Sequence, residues 1–485
     1  MIRHGLAGPV FAVLCAVAAG PAHTQPAGRT TPPKLGPPPK VALPPIRERN
    51  LPNGMRLLVV ERHEIPLVDA VLVIGTGPEA DPTGKPGVAT LVASMLTRGT
   101  PTRSATDIAA QTATLGASLD AGSTWDHTIV SLHVPTATLD SAWSIFADVV
   151  LHSTFPDSEF ARVKRERLTD LVELSDRAPA VADRAFASIL FGADHPYGRP
   201  SLGTEQSVGA ITADDARRFY DVTFDAGNAT LIVVGDVTVD AVETKARALF
   251  GAWKQGPPNG DPVPPPAKPA TAPTTIYVID KHDAPQSSIR IGAVATSRWT
   301  PDYFPIDVMN TILGGAFTSR LNENLRETHA YTYGAFSGFG MRRLPGPFVA
   351  EAEVVATKTD SSLLQFVHEL KAIRDTVPMA ELNKAKRYME LQLPGELETS
   401  RDIADQLVPV ATYHLPLDFY NTYQARVAAV TRADVQRVAR TYIDPSHVIV
   451  VVVGDRASIE APLRATGVGP VQDRGLDGLP ITQTQ

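Results

Sequence analysis

The chain of 485 residues has a single cysteine, Cys15, and that residue lies inside the first apolar stretch. A disulfide framework, a cysteine-ligated zinc or iron–sulfur centre and a cysteine nucleophile in the body of the protein are thereby excluded. No long basic run occurs, and 45 basic against 52 acidic residues leave a net charge of −7, which argues against nucleic acid as a partner. Gly-x-Ser-x-Gly elbows and Ser-x-x-Lys pairs are lacking, which weakens any case for serine chemistry. No two histidines stand in a His-Glu-x-x-His or His-x-x-Glu-His pattern, the arrangements by which neighbouring helical turns hold one zinc.

Hydrophobic residues at 43% and charged residues at 20% suffice for real cores, and the length predicts at least two packed domains. The start, with Arg3, an apolar stretch from about Leu6 to Ala19 and small residues from Ala22 to Thr24, reads as a secretory signal peptide over 1–24. The apolar stretch is too short for a comfortable membrane span, and Leu14 precedes Cys15 where a lipoprotein signal would want a small residue. The expected mature protein is therefore periplasmic or secreted, without a membrane anchor. Proline-rich stretches at 25–45 and 256–275 read as extended linkers.

Between and after these linkers lie two similar segments. "NATLIVVGD" ending at Asp236 recurs as "HVIVVVVGD" ending at Asp455, and "FPDSEFARVKR" from Phe155 recurs as "VPMAELNKAKR" from Val377, at nearly one offset. This predicts a duplicated domain, with copies over 46–255 and 276–460 and a tail over 461–485. Runs such as "MRLLVVE", "LVDAVLVIGTG" and "HTIVSLHV" read as strands, whereas Val88, Leu91, Val92 and Met95 mark one face of an amphipathic helix. Helical patterns also cover Thr138 to Leu151 and Asp157 to Ser175. Each half is expected to be α+β (or α/β), a mostly antiparallel sheet covered by helices.

Several motifs are read as structure. "GTGPEA" from Gly75 is followed by "DPTGKP", whose prolines deny the helix start that a dinucleotide pyrophosphate needs, and Gly84-Lys85 lacks the rest of a phosphate loop. His127 and His133, with Asp126, share a strand face at even spacing, and His195 sits in a turn-rich segment. Packing or surface roles are expected for all of them, with metal binding the less favoured alternative.

"GVATLVASMLTRGTPTRSATDIAAQTATLGASLDAGSTWDHT", "FPDSEFARVKRERL", "HPYGRPSLGT" and "NATLIVVGD" resemble, in order and spacing, the first domain of the pitrilysin/insulinase family of zinc peptidases, and "ILGGAFTSRLNENLRETHAYTYGAFSG" resembles its second domain. The resemblance spans about residues 45 to 460 and implies the LuxS/insulinase-like metalloenzyme fold. Active members carry His-x-x-Glu-His in the helix before the Gly-Thr turn. Laid on this chain, that pattern puts Thr90 and Ser94 at the histidine positions, Ala93 at the general base and Asp170 near the downstream ligand, so this chain is expected to bind no metal. "LRETHAYTY" matches the family's Arg…Tyr segment, which implies that Arg326 and Tyr333 donate hydrogen bonds to a substrate carbonyl, with Tyr331 as the rival tyrosine. The local alternative is Arg326 pairing with Glu323 or Glu327. The resemblance thus implies the zinc-less subunit of a two-chain metalloendopeptidase, partnered with a zinc-bearing relative and acting on peptides. The alternative is an inactive scaffold or peptide-binding protein of the same fold.

Overall fold

The structure, a computed structural model, describes residues 36–256 and 272–481. The signal-peptide reading over 1–24, the first part of the 25–45 linker and most of the 256–275 linker fall outside the described residues.

Six strands of the first half form one mixed sheet: β1 (Arg47–Asn50), β2 (Arg56–Glu61), β3 (Leu67–Ile74), β4 (Ser118–Thr124), β5 (His127–Pro135) and β6 (Ala229–Gly235), in the order β1-β2-β6-β3-β5-β4. Only β2 and β6 run parallel. The second half repeats this plan with β7 (Thr275–Asp280), β8 (Gln286–Val294), β9 (Thr332–Phe339), β10 (Pro347–Val355), β11 (Ile449–Gly454) and β12 (Val471–Arg474), in the order β12-β7-β11-β8-β10-β9. Five strands correspond one to one between the halves. The sixth differs, since β1 joins β2 antiparallel whereas β12 joins β7 parallel.

The central strands β6 and β11 carry the runs Leu231–Val234 and Val450–Val453, buried along their whole length. Strands so continuously apolar must be covered on both faces. One face of the first sheet holds Leu57, Val59, Leu72 and Val233, which pack on helices Val88–Met95 and Leu139–Leu151 of the same half. The other face, with Leu58, Val60, Val71 and Ile232, is covered by Ile403 and Leu407 of helix Ser400–Thr412, which belongs to the second half. The converse holds as well. Helix Ala178–Phe191 of the first half lays Val181, Ala185 and Phe186 on Ile279, Val451 and Val453 of the second sheet.

Each exchanged helix is also held by charge. Arg290 on β8, 5% exposed, meets Asp183 of the first-half helix at 2.6 Å and Glu353 on β10 at 3.0 Å. In the other half, Asp69 on β3 lies 2.7 Å from His133 on β5 and 3.7 Å from Arg401 of the second-half helix.

Two stretches read as linker or tail are parts of the fold. Residues 39–45 run beside helix Phe419–Ala429, where Leu43 is buried and its N–H donates to Asn421 Oδ1 at 2.8 Å. Helix Arg456–Ala465 crosses the expected boundary at 461, and β12 beyond it extends the second sheet. The sequence "VQDR" of β12 alternates in no useful way, and its strand conformation comes from backbone pairing with β7. Among the described residues no helix is long and apolar enough to cross a membrane.

Candidate functional site

Helix Val88–Met95 starts after Gly87, whose φ of 102° lies in the left-handed region and where a Cβ would come within 2.9 Å of the Leu202 carbonyl oxygen. The Asp81 carboxylate caps this start, accepting from Gly87 N at 2.6 Å and Ala89 N at 2.8 Å. Burial raises the Asp81 pKa to about 7 in spite of these two donors. Val88, Leu91, Val92 and Met95 face the core, as their spacing predicts.

Thr90, Ala93 and Ser94, the positions where the family motif places its metal ligands and base, are engaged locally. Ser94 Oγ donates to Thr90 O at 2.9 Å, Thr90 Oγ1 lies 3.1 Å from Gly87 O, and Ala93 is buried. Arg167 of helix Asp157–Asp176 reaches across and donates from Nη1 to Thr90 Oγ1 at 2.8 Å. Burial lowers the Arg167 pKa while the nearby Asp170 opposes that shift, and the guanidinium stays charged. Asp170 itself is exposed. These residues do not fit a zinc ion. Neither imidazole is present, and a cation placed about 4 Å from the guanidinium would meet repulsion of order 4 kcal/mol per unit charge at an effective dielectric near 20. Among the described residues no cluster of three or more His, Cys, Asp or Glu is arranged to hold a metal ion.

The histidines are dispersed. His133 pairs with Asp69, His127 lies 3.3 Å from Thr412 Oγ1, and His195 stacks on Phe191 with ring centroids 5.0 Å apart.

In the second half, two π-helical turns, Thr311–Gly315 and Glu323–Thr328, flank the short helix Arg320–Asn322. Such turns recur at functional sites. Side chains clamp this segment to β9: Ser337 Oγ donates to Asn310 Oδ1 at 2.7 Å, and Ala335 N to Asn322 Oδ1 at 3.0 Å. Arg326 occupies the second π-turn, with Nη1 2.8 Å from Glu327 Oε1 and its guanidinium carbon 4.3 Å from the Phe317 ring centroid. That ion pair is not aligned as a hydrogen bond, and Nη1 is buried without a hydrogen-bond partner. The chain then reverses through Ala330 at φ 54° into β9, an edge strand. Tyr333 on β9 is 91% exposed, with Phe317 and Phe336 also exposed. The rival Tyr331 stacks on His329 at 4.9 Å.

Between the halves lies a cluster centred on Asp126, which is 1% exposed. It accepts from Tyr197 OH at 2.8 Å in its own half, and from Tyr413 OH at 2.8 Å and Arg343 N at 2.7 Å in the other. Close by, Glu79 has a pKa raised to about 8 by burial and by the Asp126 charge, with Arg343 pulling the other way. The unfolded chain ionises Glu79 near 4.5 and the folded protein only near 8, so between these values the folded state holds the extra proton and stability falls as pH rises. Urea midpoints are expected to decline from pH 5 to pH 8, by at most about 1.4 kcal/mol per pH unit from this group. Glu79→Gln should flatten the decline.

Arg167 and Tyr197 lie within stretches that carry the family resemblance, but no motif there singled them out, and Tyr413 has no motif around it. Arg167 carried one signal, its spacing three residues before Asp170 on a helix.

Residues 56–205 match the insulinase family (peptidase family M16), and residues 210–389 match the peptidase M16 inactive domain. An uncharacterized zinc protease of Mycobacterium bovis is 27% identical over 75% of this chain and 82% of its own length. An uncharacterized zinc protease of Mycobacterium leprae is 30% identical over 59% of this chain and 64% of its own. Among solved structures, a peptidase M16 inactive domain from Pseudomonas fluorescens superposes with a TM-score of 0.78 at 27% identity, covering 84% of this chain and 98% of that one. A protease from Helicobacter pylori, at 20% identity, shares the fold with a TM-score of 0.78 over 85% of this chain and all of that one.

Proposed function

The chain belongs to the insulinase (M16) peptidase family, and from that premise we propose that it is the zinc-less subunit of a secreted or periplasmic two-chain metalloendopeptidase. One contrast carries the reading. Thr90 and Ser94 are engaged by local hydrogen bonds and by Arg167, whereas the second half presents Tyr333 at 91% exposure on an edge strand, close in sequence to Arg326. A peptide lying along the edge of a sheet pairs through its backbone, which suits tolerance of many sequences. Arg326 and Tyr333 would donate to the carbonyl under attack, where negative charge gathers. The zinc would be held by a partner chain of the same family with an intact His-x-x-Glu-His motif.

The isolated mature chain is expected to hold less than about one-tenth of a zinc per chain and to cleave no peptide, because the donor set for catalytic zinc is missing. Purified from the periplasmic or secreted fraction of its host, it should bring down a zinc-bearing relative and show chelator-sensitive peptidase activity. One zinc per isolated chain, with proteolysis, would refute the assignment. The ion pair of Arg326 with Glu327 favours a second reading, an inactive scaffold or peptide-binding protein in which Arg326 only holds its own turn.

A further inference from the structure

A cavity of about 950 Å³ opens where the second-half helix Ser400–Thr412 stops short of the end of the first sheet. The sheet register explains its floor. Asn50, Arg56, Thr230 and Val73 are consecutive cross-strand partners on β1, β2, β6 and β3, and Arg56 and Val73 alternate with Leu58 and Val71 on the face that this helix covers. One row beyond the helix end, that face borders the cavity. Ala411 and Thr412 form one wall, Phe219 and Val222 of helix Ala213–Thr223 another, and Trp299 and Leu344 of the second half a third.

The volume falls in the range of small-molecule sites, which favour the seams between domains. Most of the lining is apolar, yet the floor carries a guanidinium. Arg56 is bound on one side, Nε to Glu48 at 2.6 Å, while its Nη1 is buried without a hydrogen-bond partner. A buried donor left unpaired costs about 1–3 kcal/mol unless a ligand satisfies it. The charges at the wall point the same way. Lys85 meets Asp215 at 2.5 Å, Arg218 lies 3.6 Å from the same Asp215 and Arg343 faces Glu79 at 3.6 Å, so that even with Glu48 on Arg56 the cations Arg56, Lys85, Arg218 and Arg343 outnumber the carboxylates beside them. The half negative charge at the C-terminal end of helix Ser400–Thr412 does not cancel them.

We propose that this cavity binds an apolar monocarboxylate, with the carboxylate on Arg56 and the apolar body along Phe219, Val222 and Leu344. Two sources share that chemistry, a medium-chain fatty acid and the free C-terminus of an apolar peptide. The site is independent of the Arg326 and Tyr333 reading, since none of its residues belongs to that segment.

Calorimetric titration of the mature chain with decanoate and with N-acetyl-Leu-Phe-Leu tests it, each against its methyl ester. Saturable one-to-one binding is expected for at least one acid, with the ester about tenfold or more weaker, and the tighter acid identifies the source. Arg56→Met should weaken the acid about tenfold and leave the ester unchanged. Its unfolding midpoint should not fall below the parent's, because the partly exposed Glu48 pair contributes little and the buried unpaired Nη1 is removed with the guanidinium. Equal binding of acid and ester, an Arg56→Met variant that binds the acid as the parent does, or no saturable binding of either acid below about 1 mM would overturn the proposal.

Discussion

Tyr333→Phe in the assembled two-chain peptidase is expected to lower turnover about 10²-fold while assembly, zinc content and unfolding midpoint stay those of the parent. The side chain is 91% exposed, so the hydroxyl holds no part of the fold, and a structural role would predict no change in rate. Under the proposed function it donates to a peptide that lies along β9. A hydrogen bond aimed at a developing oxyanion counts most in the transition state, so kcat should fall more than KM rises. Arg326→Ala should act similarly, because the proposed role gives its guanidinium the same carbonyl to donate to. Steady-state kinetics on the reconstituted pair read both effects. Turnover within about twofold of the parent for both variants would assign the chain the scaffold role.

Asp126→Ala should produce the largest loss of stability, about 3–5 kcal/mol. The carboxylate is enclosed and accepts three hydrogen bonds, two of them from the other half of the chain. Removing it strands the Tyr197 and Tyr413 hydroxyls and the Arg343 N–H, while the Arg343 guanidinium loses a nearby counter-charge. By contrast, Tyr413→Phe deletes one donor from an acceptor that keeps two others, and should cost about 1 kcal/mol. Urea unfolding of both variants beside the parent gives the comparison. Similar losses from the two substitutions would show that Asp126 is not the centre of the seam.

Much of this architecture was legible in the residues. The strands "MRLLVVE" and "NATLIVVGD" match β2 and β6 almost to the residue, and the face Val88, Leu91, Val92 and Met95 is buried. The exchanged helices were not legible. Amphipathic spacing states that a face must be covered but not by which sheet, and Leu407 would look the same against either. The engagement of Thr90 by Arg167 was hidden for a related reason. Arg167 sits in "KRERL", a charged stretch that reads as solvated, and only the packing of two helices shows its guanidinium on Thr90. Arg326 and Tyr333 stood out through family spacing, since an exposed tyrosine on a short strand carries no periodic signal of its own.

The reciprocal helices also set an order of events for the newly made chain. Until Ser400–Thr412 has been synthesised, the face of the first sheet bearing Leu58, Val60, Val71 and Ile232 has nothing to lie against. Synthesis at about 5–20 residues per second keeps that face waiting for tens of seconds after β3 leaves the ribosome. The first half cannot be completed as an early folding unit, and a fragment ending near Gly256 would expose a sticky sheet. Such a chain gains from staying unfolded, or in the hands of a chaperone, until nearly all of it has been made.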